Sequence, residues 1–405
     1  MKEPVRKQKI VILGGGYAGV MCANRLAGTV GDQVSITLVN PIEDFVERIR
    51  LHEVAAGRGP QTATRHALAS LLHPTVRLRI AAATLIRPDA SVVDCVTRFG
   101  QALSEPYDRL VYAVGSGAPA GTVPGVREYA HQVTGIDAAR ALGLRLDALP
   151  ADARVMVVGG GMIAIETVTE IASARPELAL TLVTASVLGS TLSPRGRAYL
   201  RGARAMRRVR VLEHSPVAEI RPDGVVLAGG HHVPADCVVW AASFAVPDLA
   251  ARSGLGVDGA GRLVVDEAMR ATDHPGVLGV GDGVVLPGPA SQHSRMACAT
   301  AAPQGAHAAE TIIRGLRGEQ PAAFAPNSLV LSMSLGPGDG LIQAAHGDDT
   351  PRDLTLTGRA GAVFNELNNR RYARAILGRE RRRAGSYRRS RPRIATYREE
   401  GRHAG

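Results

Sequence analysis

The chain has 405 residues, of which 45% are hydrophobic, 21% charged and only 3% aromatic. That composition excludes a disordered chain and a small disulfide-stapled scaffold, and it allows two or three domains with aliphatic, Ala-rich cores. Of the net charge of +11, nearly all sits at the end: residues 370–405 hold 13 Arg against 3 Glu, so the body is close to neutral and only the tail is basic enough to attract nucleic acid or an anionic membrane.

Cys22, Cys95, Cys237 and Cys298 show no C-x-x-C or C-x-x-x-x-C spacing, which removes the usual support for a metal site or a redox dithiol. Four reduced thiols in a cytoplasmic protein are expected. No signal-peptide core precedes the first strand, and no apolar run approaches the ~18 residues of a membrane span. The expectation is a cytoplasmic protein, peripheral at most on the inner face of a membrane.

The first organised stretch runs from Lys9 to Asn40: an apolar strand, a Gly-rich turn, a helix and a second strand. Gly14, Gly16 and Gly19 form G-x-G-x-x-G directly after Val11-Ile12-Leu13. Gly14 permits the tight turn, Gly16 lets the backbone approach a pyrophosphate, and Gly19 lets the helix lie close on the strand. Helix N–H groups without carbonyl partners then point at the phosphates. Gly15, Tyr17 and Ala18 belong to the same turn. Asn40 closes the second strand 21 residues beyond Gly19, the place for a contact with the adenosine ribose hydroxyls.

Arg48, Arg50 and His52 follow in a mixed segment. Short strands are predicted at 76–80 and 91–96, then a buried strand from Tyr107 ending in the small residues Ala113, Gly115 and Ser116. A Gly- and Pro-rich loop, 115–125, marks a boundary, and a helix is predicted over 137–149. The opening pattern then recurs at Val155 to Glu166 as G-x-G-x-x-A, with Gly159, Gly161 and Ala164 in the key places and Met162 and Ile163 between them. Ala at the third position still allows close packing. A closing strand, 178–184, ends at Thr184. Two such units imply two dinucleotides.

A second strand with a small-residue end spans 235–243, and the strand from Pro275 ends in Gly281-Asp282. An Ala-rich helix, 296–316, is expected to be interrupted by Pro303. Alternation at Leu329, Leu331, Met333 and Leu335 predicts a half-buried strand with a partner at 340–344. A last helix, 362–377, mixes apolar residues with Arg, and the Arg-dominated end beyond it cannot bury enough to fold alone.

With Gly281-Asp282 reached, the chain resembles two-dinucleotide flavoproteins of the pyridine nucleotide–disulfide oxidoreductase superfamily. Within them it looks like the type II NADH dehydrogenases and apoptosis-inducing-factor-like oxidoreductases. The resemblance covers roughly residues 8–345 and implies an α/β fold of two Rossmann-like domains, the FAD domain (1–117 and 246–325) split by an inserted NAD(P) domain (118–245). A C-terminal α+β region (326–378) and an Arg-rich tail (379–405) complete it. It also implies that Gly14, Gly15, Gly16 and Gly19 hold FAD, that the strand ending at Ser116 closes on FAD, and that Gly159, Gly161 and Ala164 hold NADH or NADPH. Asp282 then meets the ribityl chain and Glu166 faces the nicotinamide.

Three departures stand out. The first helix has only Cys22, so a dithiol relay is not expected. Where quinone-reducing relatives carry A-Q-x-A-x-Q-Q, this chain has Ala299 to Gly305 and, of the three glutamines, keeps only Gln304. Thr184 replaces the acid that would favour NADH. The expected activity is hydride transfer from nicotinamide to FAD, then electron transfer to a quinone or similar acceptor. Glu166, Gln304 and Arg48 are the candidate catalytic residues, with Arg48 or Arg50 set to stabilise an anionic flavin. His293 and Arg295 are weaker candidates. His214, His231 and His232 read as surface residues, and no metal site is expected. The competing reading is a FAD-bound sensor whose basic tail meets an acidic partner; the sparse Tyr372, Tyr387 and Tyr397 disfavour nucleic acid. A homodimer and peripheral lipid contact are compatible with the chain.

Overall fold

The computed structural model describes residues 6–58, 64–117, 123–242, 244–288, 296–325, 330–346 and 350–377, without the side chains of residues 372 and 374–377. Strand β1 (Gln8–Leu13) is buried on both faces, with Ile10, Val11, Ile12 and Leu13 all at most 2% exposed. Such a continuous apolar run suits the middle of a parallel sheet covered on both sides. The chain turns at Gly14–Gly16 into α1 (Tyr17–Val30) and returns as β2 (Val34–Asn40), parallel to β1 with Leu13 opposite Val39.

A short helix, α2 (Leu51–Ala55), leads away before β3 (Arg77–Ile80) extends the sheet beyond β2. An antiparallel meander of Ala82–Arg87, Val92–Val96 and Ala102–Pro106 follows. Then β4 (Arg109–Tyr112) pairs with the free side of β1. This strand is shorter than the sequence suggests. Ala113 still donates its N–H to Leu13, but Gly115 at φ +69° turns the chain out of the sheet.

The second unit repeats the layout: β5 (Ala130–Gln132), α3 (Ile136–Asp147), β6 (Arg154–Val158), α4 (Met162–Ala174), β7 (Ala179–Val183), β8 (Val209–Leu212), a meander over 217–234, and β9 (Cys237–Trp240). Its five strands are parallel in the order β5-β9-β6-β7-β8. Only afterwards does β10 (Val277–Gly279) pair with β4 and complete the first sheet as β10-β4-β1-β2-β3. One Rossmann-like unit is therefore inserted into another.

Helix α5 (Cys298–Leu316) runs straight through Pro303, against the predicted interruption. Pro303 stands in the second turn and removes one backbone bond. Burial of ten residues of this helix outweighs that cost of about 3 kcal/mol. At the C-terminal end, β11 (Val330–Ser334), β12 (Gly340–Ala345) and β13 (Pro351–Thr357) form an antiparallel sheet backed by α6 (Gly358–Leu377). The predicted pair is present. The third strand escapes a pattern reading because only Thr355 and Thr357 in it are even half-buried. This sheet docks on the second unit through Gln343, whose Oε1 accepts from Ser193 N–H at 2.7 Å, and Asp339, which accepts from the Tyr199 hydroxyl at 2.7 Å. Among the described residues no helix is long and apolar enough to cross a membrane. The Arg-rich tail lies outside the described residues.

Candidate active site

Both units make the strand-to-helix turn in the same way. Gly16 (φ −81°, ψ −168°) and Gly161 (φ −85°, ψ 177°) are the last extended residues before α1 and α4, and neither helix has a side-chain cap or an acid in its first turn. The leading N–H groups are therefore left for an anion. A Cβ at Gly16 or Gly161 would meet nothing within 4 Å, so open space lies in front of each. By contrast a Cβ at Gly14 (φ +109°) would stand 2.2 Å from the Ala113 carbonyl oxygen, and one at Gly159 (φ +142°) 2.7 Å from that of Ala241. At the third position Gly19 allows Gly14 O within 1.9 Å of where a Cβ would be, whereas in the second unit the fully buried Ala164 fits.

The closing residues brace these turns. Asn40 Oδ1 accepts the Gly15 N–H at 2.8 Å, and its Nδ2 donates to Ile42 O at 2.7 Å. The sequence assigns Asn40 to the ribose; in the structure both ends of its amide brace the turn. Thr184 holds the matching place under Gly160, where a Cβ would lie 2.3 Å from its Oγ1. That oxygen accepts from Ser186 N–H at 3.3 Å.

Several segments meet beside the first turn, where Gly281 and Gly305 both approach Ala18. Arg48 Nη1 donates to Ser116 O at 2.8 Å, and its guanidinium carbon lies 6.0 Å from the Phe244 ring centre. Ser116 Oγ donates to Asp282 Oδ2 at 2.6 Å, and the Gly281 N–H donates to Gln304 Oε1 at 2.6 Å. The structure thus brings Arg48, Ser116, Asp282 and Gln304 together. Arg50 goes elsewhere. Its guanidinium faces Glu366 at 2.8 Å, Glu53 at 3.0 Å and Glu47 at 3.5 Å, tying the segment to α6 instead of leaving a free cation for a flavin. His52 is buried and its ring is pushed down to about 4 by that burial, with the Arg50 charge adding, so it is neutral. His293, Arg295 and Ser243 lie outside the described residues. His214, His231 and His232 are exposed, and no metal-binding cluster is found among the described residues.

Of two further groups, Tyr17 belongs to the first turn as the sequence places it, whereas Glu170 was not singled out by sequence reasoning. The Tyr17 ring stands edge-on to Phe45 with centroids 4.9 Å apart, and its hydroxyl is buried without a partner among the described residues. Glu170 lies one turn beyond Glu166 on α4. The Glu166 carboxyl is pushed up to about 8, first by burial, with Glu53 and Glu170 adding to it and the Ser334 N–H, donating to Oε1 at 3.0 Å, opposing. Burial pushes Glu170 up to about 7, with Arg58 opposing and Glu53 adding. Only the i,i+4 spacing on the fingerprint helix signals this pair.

The pH dependence follows. Carboxyls with raised folded pKa values bind more protons folded than unfolded, so their stabilisation is full below about pH 4.5 and is lost as pH rises through about 7 and 8. A Glu166→Gln, Glu170→Gln chain is expected to gain stability relative to the parent as pH rises across that window. Denaturant midpoints compared at several pH values check this; a constant difference contradicts it.

Residues 8–306 match the family model of the pyridine nucleotide-disulphide oxidoreductases. The chain belongs to that family. It is similar to an NADH dehydrogenase-like protein of Mycobacterium tuberculosis, 28% identical over 336 residues that span 76% of this chain and 80% of the relative. It is also similar to the type II NADH:quinone oxidoreductase of Staphylococcus haemolyticus, 24% identical over 404 residues, 92% of this chain and 96% of the relative. The solved structure of NDH2 from Plasmodium falciparum in complex with NADH matches with a TM-score of 0.79 at 16% identity, covering 94% of this chain and 97% of that one, which shows a shared fold.

This oxidoreductase uses the cofactors of its family, FAD and NAD(H), and the residues present fit them. Two open helix N-termini suit two pyrophosphates, and the unpartnered Tyr17 hydroxyl lies at the start of the first helix, where a polar ligand edge would satisfy it. All four cysteines are free, and burial pushes Cys22, on α1, up to about 12. Gly305 takes the place of the last glutamine of the quinone-reducing pattern for a packing reason: a Cβ there would lie 2.1 Å from the Ala18 carbonyl oxygen of α1.

Proposed function

We propose that this oxidoreductase carries electrons from NADH or NADPH through FAD to a quinone or similar small acceptor. The observation that carries the reading is the pair of matching turns: two helices begin at Gly16 and Gly161 with no side-chain cap, no acid in the first turn and open space in front of each. On this reading Gly14, Gly15, Gly16 and Gly19 hold the FAD pyrophosphate, and Ala113, Gly115, Ser116, Gly281, Asp282 and Gln304 line its remainder. Gly159, Gly161, Met162, Ile163, Ala164 and Thr184 hold the nicotinamide dinucleotide. Residues 1–117 with 246–325, and 118–245, are the two domains.

When bound, the two cofactors supply hydride transfer and onward electron transfer. The protein supplies the rest. The helix ends fix the phosphates, and Arg48 places a cation beside Ser116 and Asp282 to offset negative charge. Glu166, its carboxyl pushed up to about 8 by desolvation, accepts the Ser334 N–H and is placed toward the nicotinamide on this reading. The similarity to the NADH:quinone oxidoreductase of Staphylococcus haemolyticus supports a quinone acceptor. Peripheral membrane contact is proposed on β13 and α6, where Leu354, Leu356, Val363 and Leu367 are exposed.

Anaerobic titration tests the reading. Purified protein is expected to be yellow and to bleach with about one equivalent of NADH or NADPH. Quinone analogues should then restore the colour. A colourless chain that gains no visible absorbance from added FAD overturns the proposal.

A further inference from the structure

Two segments join the inserted unit to the first. The one leaving after β4 and the one returning after β9 bond to each other: Gly117 N–H donates to Ala245 O at 2.8 Å, and Ala245 N–H to Gly117 O at 3.2 Å. That is the single bridge between them among the described residues. Strands joined at one bridge form a hinge, which resists separation better than rotation. A third passage lies at residues 46–50. Phe45 is buried in the core of the first unit, and Leu51, Val54, Ala55 and Ala56 in that of the second. There α2 lies against α3, so close that a Cβ at Gly143 would stand 3.4 Å from Val54 O. The guanidinium of Arg50 spans this passage with all three of its nitrogens. On the first-unit side Nε faces Glu47 at 3.5 Å, and Glu47 is itself held by its N–H to Thr64 O at 2.9 Å. On the second-unit side Nη1 donates to Glu53 of α2 at 3.0 Å, and Nη2 to Glu366 of α6 at 2.8 and 3.0 Å. Helix α6 rides with the second unit, because the sheet it backs buries Leu331, Met333 and Leu341 there. With its side chain 18% exposed, Arg50 is shielded from the solvent that weakens surface pairs. Two residues earlier, Arg48 touches both hinge segments, through Ser116 O at 2.8 Å and the Phe244 ring at 6.0 Å.

We propose that Arg50 is a positioning residue for hydride transfer: it clamps the 46–50 passage to α2 and α6, stops the second unit from rotating about the Gly117–Ala245 bridge, and so keeps the two dinucleotide cradles in register. The proposal rests on the reading of the chain as an NAD(P)H:acceptor oxidoreductase with one dinucleotide in each unit. The step itself belongs to the cofactors. A hydride leaves the reduced nicotinamide with both electrons of its C–H bond and is taken up by the oxidised flavin, which leaves NAD(P)+ and an anionic reduced flavin. What the clamp supplies is geometry, and a misplacement of about 1 Å at the reacting atoms costs ~100-fold in rate. Without the Arg50 cation, Glu47, Glu53 and Glu366 would repel one another across the passage, so the unit boundary loosens where it is now held. Glu47 would keep His66 Nε2 at 2.7 Å, and Glu366 would keep Arg370 Nε at 2.6 Å, so neither is stranded and the fold survives the loss. Lysine is a poor substitute, because one ammonium cannot face three carboxylates in the spread that a guanidinium fork allows.

The test compares the flavin-loaded parent with Arg50→Met, Arg50→Lys, Glu366→Gln and Arg25→Met. The last is the control, since it breaks an ion pair of 2.9 Å, to Glu310, that lies wholly within the first unit. In Arg50→Met, flavin content and the Kd for NADH or NADPH should match the parent, because both cradles are intact. The rate of anaerobic bleaching at a saturating level of the same nucleotide should fall by ~100-fold. The long-wavelength absorbance of a nicotinamide stacked on reduced flavin should weaken in parallel, a signature that lost stability alone does not move. Arg50→Lys should recover part of the rate, and Glu366→Gln, which leaves Glu47 and Glu53 on Arg50, should lose ~10-fold. In the flavin-free chain, amide hydrogen exchange at Gly117 and Ala245 should be faster in Arg50→Met than in the parent. Arg25→Met should match the parent throughout. Parent-like bleaching and exchange in Arg50→Met overturn the clamp, as does an equal loss in Arg25→Met; if Arg50→Met does not fold, a parent-like Glu366→Gln overturns it. A parent that neither nucleotide bleaches overturns the underlying reading and the positioning role with it.

Discussion

A Gly16→Val chain is expected to fold and to leave the column colourless. The backbone at Gly16 is extended, at φ −81° and ψ −168°, a region open to valine. A Cβ there meets no protein atom within 4 Å, so the direct cost to stability is small, about 0.5 kcal/mol. The methyl groups instead occupy the space that a pyrophosphate needs in order to reach the leading N–H groups of α1. Flavin affinity should fall by ~1,000-fold or more, equivalent to ~4 kcal/mol. Gly161→Val, with the same geometry, should stay yellow and fail to bleach at NADH concentrations that reduce the parent. Gly19→Val is the contrast: its Cβ would stand 1.9 Å from Gly14 O, and the turn itself fails. Absorbance spectra and melting temperatures of the three variants distinguish these outcomes. A yellow, fully loaded Gly16→Val protein means that the first unit does not hold the flavin.

Gly305→Ala is expected to destabilise the protein by about 2–4 kcal/mol, the reverse of what helix propensity predicts. On an open helix surface, replacing glycine with alanine gains about 0.5–1 kcal/mol. At Gly305 the added carbon would lie 2.1 Å from the carbonyl oxygen of Ala18 and 2.8 Å from its carbon. These are backbone atoms of α1 and cannot rotate aside. The overlap therefore decides the sign. Gly315, exposed near the end of the same helix with nothing within 4 Å of its missing Cβ, is the internal control, and Gly315→Ala should stabilise. Gly305→Gln, which restores the glutamine of the quinone-reducing pattern, should cost more still. It should also weaken flavin binding, because Gln304 beside it holds the Gly281 N–H. Denaturant midpoints and flavin content measure both effects. A stable, flavin-replete Gly305→Gln chain contradicts the packing account.

Much of the architecture was legible in one dimension, because a G-x-G-x-x-G turn between a β-branched strand and a helix has few structural solutions. The two fingerprints stand at strand-to-helix turns, where the motif spacing puts them, whereas the strand from Arg109 stops at Tyr112, short of Ser116. Three features were not legible. Pro303 marks a break on local rules, yet tertiary burial carries α5 through it. Arg48 and Arg50 look equivalent two residues apart, but a 3-10 turn over Arg48–Arg50 leads one guanidinium to Ser116 and the other to three carboxylates, one of them over 300 residues away. Thr355 and Thr357 gave no strand signal because most of β13 faces outward.

The chain's residues by themselves determined that two Gly-rich strand-to-helix turns exist and in what order, since backbone geometry at glycine is a local property. Only the folded structure decided which charges are neutralised and which protons are held. The Glu166 and Glu170 carboxyls change character when α2 brings Glu53 near them and β11 delivers the Ser334 N–H, and burial and Coulomb interactions depend on neighbours that are remote in the chain.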